Sequence, residues 1–499
     1  MTVRYGHLLS RQDPALAGHD MRPIRPPAAW LSASSLIAVG VCGCASVPDV
    51  GPTPGPKAAA SYATAQSFAA PAAAWPVDGW WRAYGDAQLS SLIETALLGT
   101  PSLAQAEARM RQAQASAAQT KSSLWPSLEL DANGGEVRES LNQGFPPQFA
   151  QYLPRGYNSD AYIALKFDYE FDFWGKNRSA VAAAVSELRA AQAEAAEARL
   201  ALSTGIALAY ADLARLYAEY DVAARTVQVK EETFGLVSRR VDNGLDTRAE
   251  LKEAEAGAPA ARAQMAAVDE EIRQTRNRIA ALMGAGPDRG ASIERPPAEQ
   301  LKAFGLPAEL AAELLGRRPD LAAARWRAEA AARRIGVARA QFYPNVNLAA
   351  YIGQQALFAN LLWHSSSQIG GVGPAVTLPI FEGGRLRAQY RGAKADYDEA
   401  VATYDATLVE ALHEVADVAA SERALTARLE QSRAALAANE EAYRLTRMRY
   451  EGGLSNYQSV LIAEDAVLQS RLTVADLEAR AFTLDVELVQ ALGGSYAQT

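Results

Sequence analysis

Cys42 and Cys44 are the two thiols of this 499-residue sequence, and they stand one residue apart. Such a pair could close a strained disulfide or supply half of a metal site. No partner cluster lies downstream, and His7, His19, His364 and His413 are scattered without ligand spacing. No nucleophile–histidine–acid set and no phosphate-binding glycine loop occurs, so the sequence predicts no enzyme, no cofactor and no metal. Two kinds of chemistry remain. One is acylation of a thiol. The other is the lining of a wet surface by carboxylates: Glu129, Asp131, Asp168, Glu170 and Asp172 recur at alternate positions between apolar residues. The formal net charge of −8, with no Lys/Arg block, excludes nucleic acid as a partner.

The thiols close an address. Arg22 and Arg25 precede an apolar run from Ala28 to Val41, about 14 residues, which suits a signal-peptide core and is too short to span a bilayer. Its end, Val41-Cys42-Gly43-Cys44, resembles a lipobox, in which the last cysteine is acylated and becomes the mature N-terminus. Residues 1–43 are then the signal peptide. Translation starts at Met21 on this reading, since Asp13, Asp20 and two histidines upstream fit no leader. Residues 44–76 are rich in Pro, Ala and Gly and read as an extended tether reaching roughly 90 Å from the lipid, at about 3.1 Å per residue.

The rest of the chain is one unit used twice. Pro101-Ser102-Leu103 and Leu124-Trp125-Pro126 recur 218 residues later as Pro319-Asp320-Leu321 and Phe342-Tyr343-Pro344. Gly175-Lys176, Gly244-Leu245 and Met283-Gly284 recur 209 residues later as Gly384-Arg385, Gly453-Leu454 and Leu492-Gly493. The repeats run over 77–283 and 317–493, with a linker at 284–316 and a tail at 494–499. Each opens with a helix, 101–124 and 319–342, stopped by the following proline.

A β-hairpin follows in each repeat, at about 127–173 and 345–381. Ile163, Leu165, Phe167, Tyr169, Phe171 and Phe173 alternate with polar residues. Val346, Leu348 and Ile352, then Val372, Val376, Leu378 and Ile380, keep the same phase. Strands of this length span a bilayer when tilted, which a one-sided soluble sheet does not require. Proline-free helices at 176–242 and 385–451 come next, each about 100 Å long. The first carries a 3-4 seam through Ile206, Ala209, Leu213, Leu216, Tyr220, Ala223, Val227, Phe234, Val237 and Val241. Glycine tips end both helices, where Asp246 or Ser455 could cap the helix that returns. The returning helices, 247–283 and 456–492, stack on the opening helices to match one long helix. Pro259 predicts a kink in the first of them.

Four strands cannot close a barrel, and in lipid every strand edge must be paired. Two chains would supply eight strands and almost no lumen, whereas three supply twelve and a passage. The predicted fold is an α+β membrane protein. Its duplicated helix–β-hairpin–long helix unit gives four strands per chain, completing a 12-stranded trimeric β-barrel continued by a long α-helical coiled-coil tube.

The lipobox, the duplicated unit, the corners Phe173-Trp174-Gly175-Lys176-Asn177-Arg178 and Phe381-Glu382-Gly383-Gly384-Arg385-Leu386-Arg387, and the two glycine tips together resemble the TolC-like outer-membrane efflux family, in its lipoprotein branch that includes nodulation protein T. The resemblance implies a homotrimer in the outer membrane of a Gram-negative bacterium, lipid-anchored at Cys44. It also implies docking on a periplasmic adaptor joined to an inner-membrane pump. Val241, Gly244, Leu245, Gly453, Leu454 and Ser455 match the family's adaptor-facing turns. Where the family often reads Leu-Asp-Ala at its constriction, this chain has Leu461-Ile462-Ala463, so the gate is apolar at Ile462 or its charge has moved to Glu464, Asp465 or Glu253. The same duct could serve drug efflux or a type I protein-secretion system, and a pore-less periplasmic scaffold is the alternative of a different class.

Overall fold

The computed structural model describes residues 47–49, 51–140, 152, 154–297, 306–307 and 310–497. The signal segment, Cys42 and Cys44 lie outside the described residues. In chain order the elements are α1 (Ala87–Leu97), α2 (Pro101–Ser122), β1 (Ser127–Val137), β2 (Asn158–Phe171), α3 (Lys176–Asp242), α4 (Arg248–Leu282), α5 (Pro287–Ala291), α6 (Leu310–Arg317), α7 (Pro319–Ala340), β3 (Asn345–Ala356), β4 (Gln368–Thr377), α8 (Arg385–Glu451) and α9 (Tyr457–Ala491). The strands form one antiparallel sheet in the order β1-β2-β3-β4. The duplicated hairpins thus join through β2 and β3.

The two long helices are 67 residues each, about 100 Å of uninterrupted helix. Helix α3 packs on α4 and α2 along one side and on α7 and α9 along the other, while α8 packs on α7 and α9. Two short helices therefore run beside each long one. On the seam of α3, Ile206, Ala209, Leu213, Leu216, Ala223 and Val237 are buried, as are Val415, Val418, Leu425 and Leu429 on α8. Phe234 departs from the pattern and is exposed in the isolated chain. Pro259 sits inside α4 without ending it. The carbonyl that its missing N–H leaves free, that of Glu255, belongs to an exposed residue and can turn to water.

Midway along the tube the short helices meet, and the apolar material of the connecting segments collects there. Trp80, Trp81, Leu89, Leu92 and Ile93 pack on Ile206, Tyr210, Leu213, Ile279 and Phe482. On the other repeat Leu306, Leu310, Leu314 and Leu321 pack on Leu408, Leu412, Val415 and Leu488. Polar ties register these layers. Asp86 accepts from the backbone of Leu89 at 3.0 Å and from the Tyr210 hydroxyl at 2.6 Å. Buried Arg318 donates to Asp320 at 2.7 Å, to the Ala491 carbonyl at 3.0 Å, and also to Glu414.

The proline-rich segment is not a loose tether. Val47 packs against Phe342, Leu386 and Tyr390, beside the start of β3. The chain then follows α8: Lys394 donates to the Gly51 carbonyl at 2.7 Å, the Lys57 N–H donates to Asp405 at 2.9 Å, and Ala59 is buried against the α8 side of the mid-tube core. It ends in a parallel bridge between Ala72 and Leu306. Apart from short turns at 58–62 and 64–69, the segment is held by laying its few apolar side chains on the helix surface.

Glu197 lies beside the Arg318 cluster. Its burial, with the carboxylates of Asp320 and Glu414 and against the pull of Arg318, pushes its carboxyl up to about 7 from 4.5. A raised acid binds its proton more readily in the folded state, so stability falls as pH climbs from about 4.5 to about 7 and stays lost above. Glu197→Gln should leave the melting temperature near wild type at about pH 5 and raise it at about pH 8. Thermal unfolding of the purified protein across that range checks this.

Candidate functional site

The register divides the sheet into two chemically distinct faces. Leu128 opposes Phe167, Leu165 opposes Ile352, and Ala350 opposes Val372 on one face. On the other, Glu129 opposes Lys166, Lys166 opposes Tyr351, and Tyr351 opposes Gly371. The apolar face is open: Leu128 is 65%, Ile352 69% and Val372 77% exposed in the isolated chain. Exposure of this kind along a whole sheet face fits hydrocarbon, and no helix among the described residues is long and apolar enough to cross a membrane. Aromatic residues gather where sheet meets tube. Trp174 stacks on Tyr343 with ring centroids 4.6 Å apart and donates its Nε1–H to the Pro344 carbonyl at 2.9 Å, while Trp125, Phe173 and Phe381 are exposed nearby.

The polar face holds one close approach of backbone to backbone: an added Cβ at Gly353 would lie 2.1 Å from the Ile163 carbonyl oxygen and 2.5 Å from the Ala164 Cα, so β3 sits tight on β2 there and only glycine fits. Glu129, Asp131 and Asp168 lie on this face, but the lining is less acidic than the sequence implies. Lys166 pairs with Asp131, and Lys176 holds Glu170 at 2.8 Å. Asp172 leaves the lining altogether. It lies one residue beyond β2 and accepts from the backbone N–H groups of Asn177 and Arg178, at 3.1 and 2.8 Å, and from Arg178 Nε at 3.2 Å. Partial burial raises its carboxyl, but those donors outweigh burial and hold it below the ordinary value. It anchors the first turn of α3, where unpaired N–H groups favour an acid.

At the far end of the tube, Gly244 and Gly453 take φ of +69° and +72°. Each is the left-handed residue of a Schellman turn. Leu245 N–H returns to the Arg240 carbonyl at 2.8 Å, and Leu454 N–H to that of Arg449 at 2.7 Å. Leu245 and Leu454 are consequently thrust outward, 64% and 74% exposed, with Val241 half-buried behind. The next helices are capped by Thr247, in a capping box with Glu250, and by Asn456, not by Asp246 or Ser455. Both expected caps come one residue too early to reach the first-turn N–H groups.

Asp246 serves a different purpose. Arg240 donates to it at 3.0 and 3.2 Å, donates to the Tyr450 carbonyl at 2.7 Å and lies 4.2 Å over the Tyr450 ring, whose hydroxyl also donates to Asp246. This buried knot ties one tip to the other. Its sequence signal is a break in the duplication: Arg240 repeats as Arg449, but Asp246 repeats as Ser455.

Of the candidate gate residues, Glu464 and Asp465 meet on one partner, Lys230, which lies 2.6 Å from the first and 3.3 Å from the second, but they differ in burial. Glu464 is 1% exposed, set inside the wall between α3 and α9. Lys230 stands 2.6 Å from it, and the Thr233 hydroxyl donates to it at 2.9 Å. Burial would lower the Lys230 ammonium, but Glu464 and Asp465 hold it above its ordinary value. A carboxylate so neutralised cannot line a passage. Asp465, Ile462 and Glu253 are exposed in the isolated chain.

The tip knot makes a specific prediction. Arg240→Ala should speed amide exchange at residues about 240–250 and 449–457 by roughly tenfold or more, leaving mid-tube protection unchanged. Adding Asp246→Asn should recover part of the loss, because the stranded buried charge goes with it. Exchange mass spectrometry reads both.

Comparison with known proteins places this geometry. The family model described as outer membrane efflux protein matches residues 92–285 and 310–494. The chain is 38% identical to the fusaric acid resistance protein FusA of Burkholderia cepacia over 65% of its length, and spans 61% of that protein. It is 31% identical to the multidrug resistance outer membrane protein MdtP of Escherichia coli, covering 85% of this chain and 87% of that one. Among solved structures, the outer membrane protein VceC of Vibrio cholerae superposes with a TM-score of 0.79 at 45% identity, over 84% of this chain and 99% of that one.

Proposed function

The chain belongs to the outer membrane efflux protein family, and from that premise we propose that it works as a homotrimeric lipoprotein duct, anchored at Cys44, through which small organic solutes leave the cell. It is an outer-membrane efflux channel; the trimer, the anchor, the partners and the cargo are the proposal. One observation carries the reading. A four-stranded sheet with one apolar and one polar face continues directly into two helices of 67 residues. Three such sheets close a twelve-stranded barrel with a polar lumen, and three such helix sets extend it into a tube.

The anchor reading is supported by Val47. Three residues beyond Cys44, it packs on Phe342 and Leu386, where the tube meets the sheet. Acyl chains on Cys44 would enter the periplasmic leaflet there. The cargo reading draws on the relatives named for fusaric acid and multidrug resistance, which favours drug-like solutes over secreted proteins. The partners are a periplasmic adaptor and an inner-membrane pump, met at the exposed leucines of the tips. Ile462, Asp465 and Glu253 remain the candidates for the closed constriction, and Glu464 positions Lys230 behind them.

Two experiments test this. Cys44→Ser should abolish metabolic labelling with palmitate while Cys42→Ser leaves it intact; label that survives Cys44→Ser overturns the anchor. Gly244→Val with Gly453→Val forces β-branched residues into positive φ, at a local cost of about 1–2 kcal/mol each. Trimer level and membrane insertion should stay near normal while efflux is lost and adaptor crosslinking at Leu245 and Leu454 falls. Export at the wild-type rate would reduce the tips to simple turns.

A further inference from the structure

Across the middle of the polar face runs one row of residues, Glu129, Lys166, Tyr351 and Gly371, contributed by β1 to β4 in turn. The row on the tube side continues as Asp168, Ala349 and Gly373 and the row on the other side as Asp131, Ala164, Gly353 and Ile369, so on β3 and β4 small residues flank Tyr351 except at Ile369. The Tyr351 ring does not stand away from the sheet. It lies over Gly371: an added Cβ there would be 2.9 Å from the Tyr351 Cε1 and 3.3 Å from both Cζ and the hydroxyl oxygen. The contact is with the movable end of a side chain. Gly371 itself has ordinary extended backbone, which any residue adopts. What glycine supplies here is room for a ring lying flat. The same Cβ at Gly373, two residues on, would meet nothing within 4 Å.

We propose that Tyr351 and Gly371 together set the width of the barrel at its middle, Tyr351 being the specificity-determining side chain and Gly371 the seat that keeps its ring out of the passage. The inference rests on the reading of the polar face as the lumen of a trimeric barrel. A tyrosine ring swung from the sheet reaches roughly 6 Å inward, and three copies at one level would narrow a twelve-stranded lumen of roughly 24 Å between backbones to about half that width. Flat against glycine, the ring leaves the lumen open to bulky solutes and presents them with an apolar surface beside Lys166. The selectivity is one of size, and the pair acts at mid-barrel, remote from the tips.

The lipidated protein offers a clean readout, because no cysteine follows Cys44 in the sequence. Ala375→Cys places a thiol on the same polar face, two rows further toward the tube. In intact cells a small hydrophilic maleimide and a bulky polyethylene-glycol maleimide, both added outside, should each label it. Adding Gly371→Val, a substitution that a strand accepts, should slow the bulky reagent by about tenfold or more and the small one by less than about twofold. Further adding Tyr351→Ala should restore the bulky rate. Trimer level is followed by gel; if valine impairs assembly, Gly371→Ala carries the test, since its Cβ alone meets the ring. An unchanged bulky rate with valine or alanine at 371 overturns the proposal, as does a slowing that persists without the tyrosine ring. A thiol at 375 reached only by a lipid-soluble maleimide overturns the lumen assignment itself, and this inference falls with it.

Discussion

Hydrocarbon offers no hydrogen-bond partners, and this governs the rest of the molecule. Among the described residues of one chain the outer edges of β1 and β4 have no strand beside them. In a bilayer an unpaired row of N–H and C=O groups costs several kcal/mol per group, so the sheet is incomplete by itself. Closure has to come from other copies. The long helices inherit that symmetry, because α3 begins five residues after β2 ends and α8 eight residues after β4 ends. Loops this short turn a circular arrangement of strands into a circular wall of helices.

The wall is held differently along its length. At mid-tube, burial of tryptophan, leucine and tyrosine over a broad layer does the work, with Arg318 and Asp86 setting register through hydrogen bonds to carboxylates, hydroxyls and backbone. Toward the tips apolar contact thins to a small group around Val237, Tyr450, Tyr457 and Val460, and charge takes over in the Arg240–Asp246 and Lys230–Glu464 pairs. Apolar packing tolerates little movement, whereas a pair of charges can exchange one partner for water. The tips, where the proposed adaptor would dock, are thus held by contacts that can be remade.

Duplication supplied two near-equal halves, and the function-bearing details are where they differ. Asp246 answers to Ser455, so the tip knot exists once per chain. Lys166 meets Glu129 and Asp131 on the first hairpin, while the second presents Tyr351 over a glycine-rich strand. A lumen built from such halves alternates charged and neutral sectors.

Much of this was legible in the residues. Glycines bounded both long helices to the residue, because glycine enters left-handed backbone cheaply, and prolines marked where the opening helices begin and where each gives way to a strand. Period two marked the lipid face, because a strand side chain can only point one way or the other. Side-chain partnership was not legible. Glu464 and Asp465 are adjacent in sequence, yet one is sealed in the wall and the other exposed, since a turn of 100° per residue separates their directions on α9. Asp172 continues the acidic alternation of β2 but belongs to the helix that follows, because the strand stops one residue earlier. The extended segment after Cys44 reads as free chain, and only the open flank of α8 makes it a strap. Local pattern is set by backbone geometry, which each residue carries with it. Which carboxylate keeps its charge, and whether a tyrosine ring stands or lies flat, depends on groups dozens to hundreds of residues away, which only the folded chain brings near.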